Sequence, residues 1–554
     1  MEILPQFLKV IVTENAGALQ SWFSKVLFER LTKHARRHLL VRLKDELDMS
    51  PIEKACKGYY HESGPGTTSK YRIEQLVRVL LVKYLYNWSL RDTEERLRHD
   101  LVVKWFVGCG VFDEVMDHST LERFEQWVNK QQHRLFFDEV LKQIDADFPE
   151  EGSGVQIGDT FAMKANAASE GVMTLLRHTS RCLLTEIKRG AGQEYERILK
   201  SLDQISLFGT GEESWEYLQV ETNRAERRLK TVQGVWQLQQ LVKPQLAGWQ
   251  EPLRSRVSLR LEDLDKVIAD ELQVTLDGEG KPTQVSLLPQ KDKGHYRLCS
   301  ATDPEATCRS HGHNHTVGYN IGLAVTPQAF IREIQAASGA EPDQAGVARL
   351  ISEQLEHQGT CPSKFLYDQA AGAGCTRAEV AKVSAGQTQL VAQIPPSSTN
   401  ARFAPDAFHF TPAGALECPN HKTTVQAHPA SDSDGMIYSF SAKTCQGCSL
   451  WQQCRDAKAA PKGSRRVFIS DYLEEVRQAK EYNRLPIFQQ EMKQRPLVER
   501  VIFMLTHYDG ARYARSRGKQ RADFQAKMCA TARNLRTWLN RLDRKKTEQG
   551  INVA

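Results

Sequence analysis

Long apolar runs are absent from this chain. Runs such as Val79–Val82 are cut by charge, here Arg78 and Lys83, far short of the ~20 apolar residues that a membrane span requires. The opening Met1-Glu-Ile-Leu-Pro5 lacks a basic segment, an apolar core and a small-residue cleavage site, so no secretory signal is expected. Twelve cysteines among 554 residues are too few for a disulfide scaffold. No repeat of fixed period is visible, which excludes a solenoid. Net charge is only +6, so the total says little. These absences leave a cytoplasmic chain of several domains, without membrane contact, as the expectation.

What is present is unevenly distributed. Arg495 to Lys546 holds fourteen Lys and Arg against four Asp and Glu, and 25–42 is also basic. Local cationic blocks of this kind suit a polyanion. Residues 1–150 read as an all-helical domain for DNA binding or dimerisation. Tyr71 to Leu85 has apolar residues at helical spacing. Ser89-Leu-Arg-Asp92 and Asp117-His-Ser-Thr120 look like helix N-caps, the second opening a helix from Leu121 to about Gln132. Short helices joined by turns resemble a helix-turn-helix arrangement. Trp88 and Trp105 read as core residues.

From residue 151 the pattern changes. Val155–Met163, Tyr319–Val325, Lys364–Asp368 and Leu390–Ile394 read as strands, the last stopped by Pro395-Pro396. Helices are expected at Val347–His357, Thr376–Val383, Leu497–His507 and Phe524–Leu542. Alternating strands and helices imply a mixed α/β core, built from 151–166, 272–400 and 465–554. A helical insertion, 167–271, interrupts it, and a hairpin is expected around Asp277-Gly-Glu-Gly280. Cys308-Arg-Ser-His311-Gly-His313-Asn-His315 reads as a polar loop.

Two aspartates end apolar runs, in Ile157-Gly-Asp159-Thr160 and Phe365-Leu-Tyr-Asp368, while Glu499 lies on a helix. Two strand aspartates and one helix glutamate suit a pair of hard divalent cations, Mg²⁺ or Mn²⁺. Such ions bind oxygen ligands and serve in-line phosphoryl transfer. Residues 401–464 hold Cys418-Pro-Asn-His421 and Cys445-Gln-Gly-Cys448-Ser-Leu-Trp-Gln-Gln-Cys454. That spacing fits one structural Zn²⁺ on Cys418, Cys445, Cys448 and Cys454, with His421 able to replace one thiolate. Arg500, Arg512, Arg515, Arg517, Lys519 and Arg521 would track a DNA backbone behind the glutamate helix.

In this order Gly158-Asp159-Thr160, Thr302-Asp303-Pro304-Glu305, Gly318-Tyr319-Asn320, Asp368 and Arg495…Glu499, trailed by Arg512-Tyr-Ala-Arg-Ser-Arg-Gly518, resemble the DDE transposases of bacterial insertion sequences. Trp88-Ser-Leu-Arg-Asp92 and Asp117-His-Ser-Thr-Leu-Glu-Arg-Phe124 resemble the helical domain preceding the catalytic domain in many of them. The resemblance spans roughly 60–166, 295–400 and 415–540. It implies a ribonuclease-H-like mixed sheet with flanking helices, with Asp159 on the first strand, Asp368 on the fourth and Glu499 on a later helix. It also implies cleavage at element ends, transfer of the freed 3′-hydroxyl to target DNA, terminal inverted repeats as partners, and a homodimer or higher assembly at the nucleoid. Arg495 matches an arginine of the family and would contact DNA phosphate. Relatives with an extended motif carry a tyrosine three residues before that arginine and a lysine seven after the glutamate. Here Met492 and Thr506 stand there, which leaves the subgroup open. A metal-dependent nuclease on the same fold, and a DNA-binding protein with a decayed acid site, are the alternatives.

Overall fold

A computed structural model describes residues 6–62, 70–210, 219–311, 314–394, 403–431, 434–455 and 464–549. Met1–Pro5, His313 and Pro395-Pro396 lie outside the described residues.

The N-terminal region is helical. Ile73–Leu85 buries every residue except Glu74 and Arg78, as a helix at the centre of a bundle must. Ser89 caps Leu90–His99: its Oγ accepts from Asp92 N at 3.1 Å and its own N–H donates to Asp92 Oδ2 at 3.2 Å. This reciprocal arrangement satisfies two donors that a helix start leaves free. Asp117 caps His118–Gln131 by accepting from Thr120 N at 2.7 Å.

The mixed sheet follows. Its strands are β1 (Val155–Lys164), β4 (Thr307–His311), β5 (Asn314–Val325), β6 (Ile331–Ser338), β7 (Lys364–Leu366) and β8 (Gln389–Val391), while β2 (Leu272–Leu276) and β3 (Pro282–Leu287) form a separate hairpin. β5 pairs antiparallel with β1, β4 and β6. β1–β7 and β7–β8 are parallel. The neighbours therefore run β6-β5-β1-β7-β8, with β4 also on β5. Helix Val347–Gln358 covers one side with Phe365 and Tyr367. The other side shares one apolar cluster with the N-terminal helices, Pro496–His507 and Lys519–Glu548.

Helices Val172–Gly190, Glu221–Val242 and Leu253–Glu271 of the insertion gather a second cluster with β2 and β3. Asp277 shapes the β2–β3 turn, its Oδ1 accepting from Glu279 N and Lys281 N, both at 2.9 Å. The cysteine-bearing segment has its own small core around Phe408, Leu416, Phe440, Val467 and Ile469.

The polar loop expected at 308–315 is instead a hairpin: Cys308 lies opposite Val317 and Ser310 opposite His315. Backbone pairing beyond the Tyr319–Val325 run extends β5 backward despite its polar side chains. β6 lacked a sequence signal because Arg332 and Glu333 are buried in it. Arg332 pairs with Asp145 (Nη2–Oδ2 2.9 Å), and Glu333 takes Arg134 at 2.8 Å. Buried charges persist where they are paired.

β6 also shows how the C-terminal helix is used. An unpaired strand edge exposes backbone groups, and this helix answers them with side chains. Asn534 bonds both the N–H and the C=O of Ile331 at 2.8 Å. Asp523 Oδ1 accepts from Ala336 N at 2.7 Å, and Lys527 Nζ donates to Ile334 O at 2.8 Å. Burial pushes the Asp523 carboxyl up, but Lys527 and His133 beside it hold it well below the usual carboxylate range. An acid depressed by folding stabilises above its ordinary pKa and loses that contribution as pH falls. Asp523→Asn should cost about 3 kcal/mol near neutral pH, read by urea denaturation. The gap to the unmodified chain should narrow below about pH 4; a gap independent of pH contradicts the assignment.

Candidate active site

Parallel pairing places the acids. Ile157 of β1 lies opposite Leu366 of β7. Two residues on come Asp159, which a period of two returns to the face of Ile157, and Asp368, which lies just past the end of β7. Between Ile157 and Asp159, Gly158 is required by space: a Cβ there would lie 2.5 Å from the Phe365 ring and 2.8 Å from Tyr367. Asp159 is still in β1, opposite Leu323 of β5. Asp368 has left β7 and opens a short turn, its Oδ1 accepting from Ala370 N at 2.9 Å.

Asp159 Oδ1 accepts from Thr160 N at 2.8 Å, and Oδ2 takes Arg495 Nη2 at 3.2 Å. Burial pushes its carboxyl above the ordinary value; Asp368 and Asp343 push the same way, and Arg495 with the Thr160 N–H opposes them. Asp343 is a neighbour that sequence reasoning missed. It accepts from Thr160 Oγ1 at 2.7 Å, Asn320 Nδ2 at 2.9 Å and Arg309 Nη2 at 3.2 Å. A lone acid in a connecting segment gives no local signal; only the fold sets it beside β1.

Glu499 follows Arg495 by one helical turn, on Pro496–His507. Val498, Val501 and Leu505 are buried against the core, which leaves Glu499 on the exposed side. Asp368 and Asp343 are thus near enough to act on the Asp159 carboxyl, Asp343 from the Thr160 side of the sheet, while Glu499 is kept apart and Arg495 pairs with Asp159. Among the described residues no three His, Cys, Asp or Glu side chains are arranged to hold a metal ion.

The helix is anchored at both ends. Arg495 holds Asp159. Beyond the helix, Lys164 N donates to Arg512 O at 3.0 Å and Ala514 N donates to Lys164 O at 2.8 Å, tying the following loop to the end of β1. Asp303, buried, accepts from Tyr319 Oη at 2.6 Å and Gly518 N at 3.2 Å, while Lys519 N reaches Glu305 Oε2 at 2.9 Å. The Thr302–Glu305 and Gly318–Asn320 segments therefore form a knot with the start of the last helix.

The expected DNA-contacting side chains divide. Arg500 and Arg512 are exposed and form no ion pair among the described residues. Arg517 is exposed and donates to Asn166 O at 3.1 Å; Lys519 is exposed. Arg515 turns inward, donating to Asn87 Oδ1 at 2.6 Å and lying 4.8 Å over the Tyr84 ring. The four cysteines are free thiols. Burial pushes Cys454 up, with Cys418 and Cys448 acting in the same direction; burial likewise raises Cys445, with Cys454 and Cys448 adding to it. His421 points elsewhere, to Glu417 at 2.6 Å, and is 89% exposed.

Removing the cation beside Asp159, in Arg495→Met, should raise that carboxyl further. An acid raised by folding contributes stability in full below its ordinary pKa and loses it as pH climbs through the raised value. Arg495→Met should therefore lose more melting temperature than the unmodified chain between about pH 4 and about pH 7. Equal losses contradict the pairing.

Residues 28–127 match a family model described as Transposase domain (DUF772), and residues 417–539 match one described as Transposase DDE domain. The first takes in the helix capped by Ser89 and all but the last turn of the helix capped by Asp117. The second takes in the cysteines, Glu499 and most of the last helix. Asp159 and Asp368 lie between them. No curated protein and no solved structure matches the chain. Among the described residues no helix is long and apolar enough to cross a membrane. The two matches, one toward each end of the chain, support an insertion-sequence DDE transposase, a family whose substrate is DNA.

Proposed function

We propose that this chain cleaves DNA at the ends of an insertion sequence and transfers the freed 3′-hydroxyl to target DNA, on a ribonuclease-H-like core. The observation that carries this reading is the parallel register that sets Ile157 opposite Leu366, two residues ahead of Asp159 on β1 and of Asp368 just past the end of β7. The strand order β6-β5-β1-β7-β8, antiparallel on one side of β1 and parallel on the other, supports the core assignment.

The donor set fits hard divalent cations, because every group offered at the acid pair is a carboxylate oxygen. Two Mg²⁺ or Mn²⁺ ions bound there would supply charge stabilisation to the attacking and leaving oxygens. The chain's own residues do the rest. Thr160 N and Ala370 N fix one oxygen each of Asp159 and Asp368. Glu499, apart from the pair in this structure, would supply the third acid once DNA is bound. Arg495 sits where a phosphate beside Asp159 would need a cation. Arg500, Arg512, Arg517 and Lys519 carry the strand away from the site. Arg515 serves instead to hold the loop against the N-terminal helices. The protein works as a dimer or larger assembly on paired inverted repeats.

We further propose that Cys418, Cys445, Cys448 and Cys454 bind one structural Zn²⁺. Their spacing within one segment supports this, as does the packing of Cys418 and Cys445 against one small core.

Asp159→Asn and Asp368→Asn should each lower Mg²⁺-dependent cleavage on the order of 10³-fold, the scale of losing a group that stabilises transition-state charge, while retaining DNA binding in a gel-shift assay. Full cleavage by either variant sinks the assignment. Pre-cut ends offered with target DNA test joining: strand transfer supports the transposase, whereas cutting without joining indicates a nuclease. Zinc chelation should lower the melting temperature, and Cys445→Ser should reproduce the loss; unchanged melting contradicts the zinc proposal.

A further inference from the structure

We infer that the exposed aromatic face beyond Glu499 binds unpaired nucleotides of the DNA strand held at the acid pair. The inference rests on the transposase reading and adds a ligand class and a place to it.

Phe503 stands one turn beyond Glu499 and is 48% exposed, although it is apolar. Its ring stacks on His507 at 4.1 Å and 22°, and meets Tyr508 edge-on at 6.0 Å. Tyr508 is 60% exposed. Phe503 and Tyr508 line a cavity of about 500 Å³ together with Tyr86 and Arg536. Tyr86 in turn stacks on Trp88 at 4.7 Å and 16°. Guanidinium groups flank that second stack, Arg536 at 6.0 Å from the Tyr86 ring and Arg96 at 5.9 Å from the Trp88 ring. Aromatic rings from distant parts of the chain, Phe503 and Tyr508 on one side and Tyr86 on the other, thus border one cavity beside the glutamate helix.

Charge selects the occupant. Arg500 on the same helix and Arg96 beside Trp88 are exposed, and neither forms an ion pair among the described residues. The carboxylate at the cavity, Asp509, is buried and tied to Arg533 at 2.6 Å. Exposed rings interleaved with free cations suit a polyanion that also carries flat apolar faces. Duplex DNA hides those faces in its stack; an unpaired strand offers them, and each base on a ring strengthens binding by roughly five- to 150-fold. The acid pair is where such a strand would begin, since Arg495, which holds Asp159, caps the helix that carries Phe503.

The test uses the full chain without divalent cation and two labelled DNAs: a blunt duplex, and the same duplex with a short unpaired tail carrying 2-aminopurine. The tailed DNA should bind more tightly, with quenched fluorescence. Phe503→Ala and Tyr508→Ala should each weaken tailed binding about tenfold and leave the blunt duplex unchanged. Equal loss on both DNAs, or no loss on either, overturns the inference. So does a change of oligomeric state by light scattering with DNA binding intact, which would give the face to a second copy. Failure to bind either DNA would overturn the transposase reading as well, whereas full cleavage by Asp159→Asn would sink only the acid pair.

Discussion

β1 and β7 lie parallel with Ile157 opposite Leu366, and the chemistry proposed for the chain depends on that register. A slip of one residue would send Asp159 or Asp368 to the other face of the sheet. Gly158 helps to prevent the slip, because the Phe365 and Tyr367 rings occupy the space where any other side chain would begin. The same register has a cost. Crowding buried carboxylates raises the energy of their charged forms, and Asp159 shows it in a carboxyl pushed upward by burial and by its acidic neighbours. Arg495 answers part of that charge from the start of the glutamate helix.

A large insertion between β1 and β5 leaves this arrangement intact because its exit is tied down. Asp303 links Tyr319 on β5 to Gly518 at the start of the last helix. That helix then completes the edge of β6 with Asn534, Asp523 and Lys527. Segments hundreds of residues apart thus meet around one sheet. The glutamate helix is held at one end by Arg495 on Asp159 and at the other by the Arg512–Ala514 loop on Lys164. Between those anchors its outer face, with Glu499 and Phe503, remains open to a ligand.

Much of this was legible in the sequence where local chemistry decides structure. Ser89 with Asp92, and Asp117 with Thr120, were readable as caps because the side chains act within one turn. β1 and β7 were readable from apolar runs ending in an acid. What escaped depends on distant partners. β6 looked too charged for a buried strand until Arg134 and Asp145 supplied the counter-charges. The hairpin at 307–325 is held by backbone pairing, which a polar side-chain pattern conceals. Asp343 is set beside β1, on the Thr160 side, only by the fold. Arg515 looked like its basic neighbours, yet Asn87 and Tyr84 draw it inward. Asp368 lies near enough to Asp159 to act on its carboxyl, whereas Glu499, one turn past the Arg495 that pairs with Asp159, stands apart on the exposed helix face.

The central claim is that Asp159, Asp368 and Glu499 share a divalent cation. Replacing Mg²⁺ by Fe²⁺ in the DNA-bound protein and adding peroxide with ascorbate would cut the backbone next to the bound ion. Fragments ending near residues 159, 368 and 499, and suppressed by excess Mg²⁺, are the expected result. Cuts confined to other segments, or none that Mg²⁺ suppresses, would contradict the account.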